Sequence, residues 1–418
     1  MPVVQTSVPS EGAVQPTSTL PAQDPSLSSN SFSSKGLDAS LLTITKNPSP
    51  PEPNFDNLIF GHKFTPHMLT VKWTKSKGWS APEIRPHEDL RLSPASTVLH
   101  YGSALFEGMK AYRTHSNPEE IRLFRPDKNM ERMNRSAQRA ALPTFDGQEF
   151  IKCLRELIKL DRDHVPFQEG HSLYIRPTLI GTQDTLGMGA PQEALLFCIC
   201  SPVGPYYPTG FKPVSLLAMS NVVRAWPGGT GCYKLAANYT GAVVPARQAQ
   251  EQGYSQVLWL FGQDHQLTEV GAMNLFCVFR KQVEGEEGET YEVATASLDD
   301  GTILPGVTRD SILSLLRSHA SGQNVLAGLP DPSKVEINER KIVMSEIVEA
   351  VQQGRLVEVF GCGTAAIVCS VDRIGYEGVD LSVPVQQDGF GDFSRTMLEQ
   401  ISGRQVGKIS HPEWSVIC

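Results

Sequence analysis

The sequence lacks several features that mark whole classes of proteins. No uninterrupted apolar run approaches the ~20 residues that a helix needs to span a bilayer. Lysine and arginine form no cluster and the formal net charge is −8, so the basic face that nucleic-acid phosphates require is missing. No internal repeat of solenoid length is visible. These absences favour a globular protein that acts on small molecules and binds neither membranes nor nucleic acid.

Cysteine is also used sparingly. The eight cysteines are scattered, and only Cys198 and Cys200 stand close together, in an apolar run where residues two apart face the same side of a strand. No Cys-x-x-Cys spacing is present, so the usual pattern of a zinc site is missing. We therefore expect reduced, buried thiols and no bound metal.

Basic residues are absent from the first 34 positions, which carry two acids, Glu11 and Asp24. Mitochondrial targeting segments are rich in arginine and poor in acids, so this composition favours the cytoplasm, with the mitochondrion as the alternative. Residues 1–53 are rich in Ser, Thr and Pro and contain a single aromatic residue, Phe32. Because such a segment buries too little apolar surface to fold, we expect a disordered extension that can be removed up to residue 50 without effect.

The rest of the chain has the material for two domains, with 40% apolar and 20% charged residues over a total length of 418. Short apolar runs between turn residues predict strands, and apolar residues at helical spacing predict helices. The predicted strands include 69–73, 172–180, 194–200, 214–219, 256–261, 273–279 and 291–296, and the predicted helices are 128–140, 150–158, 308–317 and 345–353. This mixture predicts an α+β protein with a smaller domain at 54–203, a connection rich in Pro, Gly and Tyr at 204–213, and a larger domain at 214–418.

One lysine stands among small and apolar residues, in the glycine-rich stretch from Gly228 to Tyr239. Lys234 is flanked there by Tyr233 and Leu235. Desolvation by such neighbours lowers the pKa of a lysine enough for its amine to attack a carbonyl and form a Schiff base. The spacing alone is equally compatible with a turn that carries a surface lysine.

Three further stretches follow this lysine in a fixed order: 267–276, which contains Glu269, then 304–310, and then 361–366. Together they resemble the branched-chain aminotransferases, which are pyridoxal-phosphate enzymes of the class IV, or fold-type IV, aminotransferase family. The resemblance extends upstream to motifs at 60–61, 100–101, 105–111, 123–126, 132–133 and 172–177, so it covers about residues 55–375. It implies a two-domain α+β fold like that of the D-amino-acid aminotransferases, an active site between the domains, and a homodimer.

The resemblance also implies a role for each cofactor residue. Lys234 would hold pyridoxal 5′-phosphate as a Schiff base and, once freed, move the substrate proton. Glu269 matches the acid that keeps the pyridine nitrogen protonated, and Tyr239 matches the phenol beside the cofactor's phenolic oxygen. The phosphate would be bound by Arg132, Val307, Thr308 and Thr364, with Arg224 also near the cofactor.

The substrate residues implied by the resemblance are largely aromatic, as suits a branched aliphatic side chain. They are Phe60, Tyr101, Phe106, Tyr174 and Tyr206. The substrate carboxylate would meet Tyr101, Arg176 and the backbone N–H groups of Ala365 and Ala366. Leu186, Gly187 and Met188 match the loop with which the partner subunit closes the pocket.

The implied reaction is reversible transamination between leucine, isoleucine or valine and 2-oxoglutarate, which gives the branched-chain 2-oxo acids and L-glutamate. Two alternatives stay open: another fold-type IV activity, such as a D-amino-acid aminotransferase or an aminodeoxychorismate lyase, and a homologue that has lost catalysis.

The sequence departs from the family at two places. Close eukaryotic relatives often carry threonine where this chain has Ala272, so one hydroxyl near the substrate is missing. Animal relatives carry a Cys-x-x-Cys pair after the Gly-Thr-Ala turn, whereas this chain reads Ala366-Ile367-Val368-Cys369. We therefore expect activity that is insensitive to mild oxidation.

Overall fold

The computed structural model describes residues 35–205, 212–281 and 288–418. The first half of the chain forms most of one sheet. Its strands in chain order are β1 (Thr43–Ile44), β2 (His67–Thr74), β3 (Gly78–Trp79), β4 (Glu83–Pro86), β5 (Ala104–Phe106), β6 (Met109–Arg113), β7 (Ile121–Phe124), β8 (Ser172–Gly181) and β9 (Glu193–Val203).

A second sheet follows with β10 (Val214–Met219), β11 (Gln256–Phe261), β12 (Gln266–Val270), β13 (Met273–Lys281), β14 (Thr290–Thr295), β15 (Val335–Glu339), β16 (Leu356–Gly363), β17 (Ile367–Tyr376) and β18 (Val379–Ser382). The last strand, β19 (Ser415–Ile417), returns to the first sheet, whose main order is β1-β4-β2-β9-β8-β6-β7-β19. The second sheet has the order β12-β11-β10-β17-β16-β13-β14-β15, and further pairing of β12 with β13 closes six of its strands into a ring.

The helices are α1 (Thr97–Tyr101), α2 (Pro126–Arg139), α3 (Gly147–Leu160), α4 (Ala237–Thr240), α5 (Val243–Glu251), α6 (Val307–Ala320), α7 (Met344–Gln352) and α8 (Asp392–Gln405), with short 3-10 helices at Ala39–Leu41, Arg162–His164, Pro332–Lys334 and Pro412–Trp414. None of the helices in the described ranges has both the length and the apolar character needed to cross a membrane.

The two sheets and the helices together make the fold class α+β, as predicted.

Helix α3 shows how the sequence produces these elements. Asp146 caps its first turn by accepting hydrogen bonds from the backbone N–H groups of Gln148 and Glu149, at 2.8 and 3.2 Å. Its apolar residues, among them Phe150 and Leu154, recur at helical spacing and are fully buried against the first sheet. This packing forms the core of the first half of the chain.

A second core joins the two sheets through α6 and α8. Phe276 and Phe360 of the second sheet stack with ring centroids 5.1 Å apart, and they share this core with Tyr112 and Phe124 of the first sheet. Strand β19 also pairs with β7, where Ser415 lies opposite Phe124. The last strand thus completes the free edge of the first sheet, although it lies within the predicted domain 214–418, whose bounds stay a prediction.

Part of the segment predicted to be a disordered extension, residues 37–47, contacts the first sheet and α3. Leu37 is 3% exposed within the first core, and the backbone N–H of Ala39 donates to Glu149 Oε2 at 2.8 Å. The N–H of Asn47 donates to Nε2 of the buried His67 at 2.8 Å. Composition predicted disorder because the segment is polar, but a few spaced apolar and backbone contacts suffice to dock it.

We expect removal of residues 1–34 to leave activity and melting temperature unchanged, because this part holds little apolar surface by composition. Removal of residues 1–53 should lower the melting temperature by several degrees, since burial of a side chain such as Leu37 contributes about 2 kcal/mol. Thermal unfolding of the two truncations and of Leu37→Ala is the measurement. Equal melting temperatures for both truncations would show that the Leu37 contacts do not stabilise the protein.

Candidate active site

Lys234 is held from both sides of its backbone. Its N–H donates to Ser136 Oγ of α2 at 2.9 Å, and its carbonyl accepts from the N–H of Phe106 at 3.3 Å. The next residues continue this contact with β5, since the N–H of Ala236 donates to the Ala104 carbonyl at 3.0 Å. The lysine is therefore fixed where the segment from the second half of the chain meets the first sheet.

The Lys234 amine lies between aromatic rings and donates a hydrogen bond to a tyrosine hydroxyl. Its Nζ is 2.8 Å from Tyr239 Oη and 4.8 Å from the centroid of Phe106, whose ring is 4.9 Å from that of Tyr239. Although the side chain keeps some exposed surface, desolvation of the amine, aided by the positive charge of Arg132, lowers the pKa of Lys234 to about 8. A nucleophilic amine is thus available close to neutral pH, which supports the interpretation of this motif as chemical rather than as a surface turn.

Glu269 and Arg224 form a buried ion pair near this amine. Glu269 Oε2 is 3.0 Å from Arg224 Nη2, and Oε1 accepts from the backbone N–H of Leu304 at 2.6 Å. Burial raises the pKa of Glu269, while Arg224 and the Leu304 N–H oppose this rise by favouring the carboxylate. Burial and the charge of Glu269 also raise the pKa of Tyr239 to about 12, so the carboxylate and the phenol interact electrostatically.

Arg132 is positioned by a buried acid that the sequence prediction missed. Its Nε and Nη2 each lie 2.7 Å from a carboxylate oxygen of Glu107, which is fully buried, and its Nη1 donates to the Pro305 carbonyl at 3.0 Å. Asn129 donates to the same carboxylate at 2.7 Å. Among the acceptors in the described ranges, Glu107 and Pro305 leave one N–H on each terminal nitrogen of Arg132 unused, so the outer edge of the guanidinium can still bind an anion.

The other predicted phosphate residues converge beside Arg132. Val307 and Thr308 are the first two residues of α6, and the preceding Gly306 has no side chain to cap the free N–H groups of that turn. Val307, Thr308 and Thr364 line one cavity together with Asn129. An uncapped helix start beside an arginine and two hydroxyls is a suitable site for a dianion.

The predicted substrate residues fall into two groups. Phe60, Phe106, Tyr174 and Arg176 are linked to each other: the Phe60 and Tyr174 ring centroids are 4.8 Å apart, and the Arg176 guanidinium lies 4.6 Å from the centroid of Phe106. Arg176 Nη2 also donates to Tyr174 Oη at 3.1 Å. Because Phe106 borders the Lys234 amine, this group belongs to the same site.

The second group has other contacts. Tyr101 is 46% exposed and donates from its hydroxyl to the Leu186 carbonyl, and Met188 in the same loop is 87% exposed. Ala365 and Ala366 form the turn between β16 and β17. Tyr206 lies outside the described residues, and its predicted role stays a prediction.

The match to known proteins agrees with this geometry. The family model described as amino-transferase class IV matches residues 104–374. The chain is 48% identical over 382 residues to the mitochondrial branched-chain-amino-acid aminotransferase of Saccharomyces cerevisiae, covering 91% of this chain and 93% of the relative. It is 49% identical to the cytosolic enzyme of the same yeast, covering 91% and 97%. The chain belongs to the class IV aminotransferases, in their eukaryotic branched-chain group.

Solved structures support the fold of this class IV aminotransferase. The branched-chain amino acid aminotransferase of Escherichia coli superposes with a TM-score of 0.62 at 21% identity, over 82% of this chain and 98% of that one. Enzymes of the family depend on pyridoxal phosphate, which is the cofactor that the resemblance implied. Among the described residues, no group of three or more His, Cys, Asp or Glu side chains is placed to hold a metal ion.

The thiols nearest to the Gly-Thr-Ala turn of this aminotransferase are separated by a sheet. Cys369 lies opposite Gly361 and Cys362 lies opposite Val368, so the two cysteines point to opposite faces of β16 and β17. Cys362 packs in the core with α6, whereas Cys369 packs in the core with α7. Burial also raises the pKa of Cys362 to about 12, which keeps that thiol protonated and unreactive.

We expect mild peroxide to change the transamination rate by less than about twofold, because neither thiol is reactive and the sheet prevents their pairing. The measurement is an assay after peroxide titration, with disulfides mapped by mass spectrometry. Cys232→Ser is the control, since Cys232 is partly exposed two residues before Lys234. Reversible inactivation together with a Cys362–Cys369 linkage would contradict this account of the turn.

Proposed function

We propose that this chain catalyses reversible transamination between the branched-chain L-amino acids leucine, isoleucine and valine and 2-oxoglutarate. The observation that carries the proposal is the Lys234 amine, whose pKa burial lowers to about 8 and which is bonded to Tyr239, in a chain about half identical to enzymes with this name. The products are the branched-chain 2-oxo acids and L-glutamate.

The residues of the site fit pyridoxal phosphate. The uncapped start of α6 and the free edge of Arg132 suit its phosphate, Glu269 suits a protonated ring nitrogen, and Lys234 suits its aldehyde. When bound there, pyridoxal phosphate supplies the electron sink that amino-acid side chains lack.

Lys234, Tyr239 and Glu269 would each have a separate role in the proton transfers. Lys234 Nζ takes a proton from the substrate Cα and returns it, which an amine with a pKa of about 8 can do in both directions near neutral pH. Tyr239 holds the amine at 2.8 Å and fixes its direction. The positive charge of Arg224 favours the carboxylate form of Glu269, which would present a negative charge to a ring nitrogen.

The aromatic group would accept the branched side chain. Phe60, Phe106 and Tyr174 offer apolar ring surface, and Arg176, stacked on Phe106, offers a guanidinium for a carboxylate. The same arginine would meet a carboxylate of 2-oxoglutarate, since both substrates must occupy one pocket in turn. Close eukaryotic relatives often carry threonine at the position of Ala272. We propose that the missing hydroxyl changes the preference among the three amino acids.

The test begins with the purified protein, which should absorb in the visible region and convert L-leucine with 2-oxoglutarate but leave D-leucine unchanged. Borohydride reduction followed by peptide mass spectrometry should place the cofactor on Lys234. Conversion of D-leucine in preference to L-leucine would favour the D-amino-acid alternative. A bound cofactor without any turnover would favour a non-catalytic homologue.

We further propose a homodimer in the cytoplasm. Support for the dimer comes from the exposed apolar loop with Leu186 at 66% and Met188 at 87% exposure, which a partner subunit would cover. Support for the cytoplasm comes from the first 34 positions, which carry no basic residue; named relatives occur in both compartments. Light scattering of Met188→Glu and imaging of a tagged full-length chain test the two proposals.

A further inference from the structure

A second buried lysine contacts the turn between β16 and β17. Lys110 lies on β6 and is 7% exposed, and its Nζ donates a hydrogen bond to the Ala365 carbonyl at 2.8 Å. The two residues are 255 positions apart in the sequence. This bond therefore connects the first sheet directly to the turn that carries Ala365 and Ala366.

The charge of Lys110 is not balanced within its surroundings. In residues 35–205, 212–281 and 288–418, no ion pair joins Lys110 to a carboxylate, and desolvation lowers its pKa to about 8. Lys110 lines the same cavity as Thr308 and Thr364, which also contains the buried hydroxyl of Tyr112. Because a buried ammonium without a counter-ion costs several kcal/mol, an anionic ligand bound near this cavity would stabilise the protonated form of Lys110.

The bond to Ala365 also fixes the direction of a particular N–H group. The carbonyl of Ala365 and the N–H of Ala366 belong to one planar peptide unit, in which they point in opposite directions. An ammonium that holds the carbonyl therefore aims the Ala366 N–H away from Lys110, and polarisation through the peptide makes that N–H a stronger donor. Ile367, next to this turn, has a φ of +64°, a conformation that β-branched residues rarely adopt. The backbone of the turn is therefore strained, and the bond from Lys110 helps to stabilise it.

We propose that Lys110 is a positioning residue that orients the Ala365–Ala366 peptide toward the carboxylate of the substrate and supplies a positive charge behind it. This inference rests on the proposed transaminase function, in which the N–H groups of this turn meet that carboxylate. Lys110 does not touch the reacting atoms, since its Nζ is bonded to the Ala365 carbonyl, and it lies at the edge of the cavity proposed for the cofactor's phosphate. Its effect is on the binding of anionic ligands and not on the proton transfer at Lys234.

The experiment compares two ligands that share a branched chain, using the cofactor-loaded enzyme. 4-Methylpentanoate has the carboxylate of leucine without its amine, and 3-methylbutylamine has the amine without the carboxylate. For Lys110→Met we expect the dissociation constant of 4-methylpentanoate, measured by calorimetry, to rise about tenfold, as for loss of one charge-assisted interaction. The half-saturating concentration of 3-methylbutylamine, followed by absorbance of the bound cofactor, should stay unchanged.

Two further variants make the comparison specific. Lys110→Arg keeps the charge and should recover part of the carboxylate affinity, and Lys152→Met removes an exposed lysine of α3 and should behave as wild type. In steady-state assays, Lys110→Met should raise the KM of leucine and of 2-oxoglutarate with little change in kcat. If Lys110→Met does not fold, Lys110→Gln, which keeps a donor and loses the charge, replaces it in the same ligand comparison.

Equal weakening of both ligands would overturn the proposal, because it would indicate a general structural role for Lys110. An unchanged dissociation constant for 4-methylpentanoate in a folded, loaded Lys110→Met would overturn it as well, while leaving the proposed function intact. Absence of any transamination in the wild-type enzyme would instead overturn the proposed function, and the role of Lys110 with it.

Discussion

Replacement of Lys234 by alanine should reduce transamination by at least about four orders of magnitude, because covalent attachment and proton transfer depend on one amine. The protein should stay folded, since the contacts of the Lys234 backbone with Ser136 and Phe106 use main-chain atoms that alanine also has. Single-turnover kinetics with L-leucine is the measurement, with circular dichroism as the check on folding.

The same variant should still bind pyridoxal phosphate without a covalent bond, because Arg132 and the start of α6 are unchanged. Equilibrium dialysis checks this expectation independently of activity. Tyr239→Phe is the matched control: it removes only the hydroxyl bonded to Nζ, so its rate should fall far less than that of Lys234→Ala. Full activity of Lys234→Ala would show that another group carries the chemistry.

Local sequence patterns predicted the sheet strands well where each strand is a continuous apolar run. The strands Val214–Met219 and Gln256–Phe261 have the predicted bounds, because runs of this kind lie buried in the second sheet and end at turn residues. The start of α7 was predicted less well: Ser345 looked like an N-cap, but the helix begins at Met344 with Val343 at the cap position. Helix α8 was not predicted at all, since its first turn is completed by a carboxylate from β16, Glu358.

The Lys234 motif was predicted from its own neighbouring residues and the other site residues from the family resemblance, whereas the missed residues Glu107 and Lys110 contact partners far along the chain. Lys234 and Tyr239 are five positions apart, so their pairing was visible in one motif. Glu107 meets Arg132 over 25 positions and Lys110 meets Ala365 over 255, distances at which periodicity carries no information. The sequence did contain one signal for the missed residues, namely a charged residue within a mostly apolar segment. Charged residues are almost never fully buried unless they are paired, so a charge at such a position indicates a partner.

The buried pair of Glu269 and Arg224 leads to the second large expected effect. Glu269→Gln removes the negative charge but keeps the shape of the side chain, so its amide oxygen can still accept from the Leu304 N–H. The fold should therefore survive, with α6 still held beside the site. Without the carboxylate, the uncompensated Arg224 would disfavour a proton on the ring nitrogen, and electron withdrawal from the substrate would weaken.

We expect kcat of Glu269→Gln to fall by about 10²- to 10⁴-fold, a loss of roughly 3–5 kcal/mol of transition-state stabilisation, with a smaller change in the KM of leucine. Stopped-flow measurement of the half-reaction with L-leucine separates this effect from product release. The double variant Glu269→Gln with Arg224→Met should recover part of the rate, because it removes the unpaired guanidinium along with the carboxylate. An unchanged half-reaction rate in Glu269→Gln would mean that the acid beside the ring nitrogen is a different residue, and the buried pair would then serve only to position Leu304 and the start of α6.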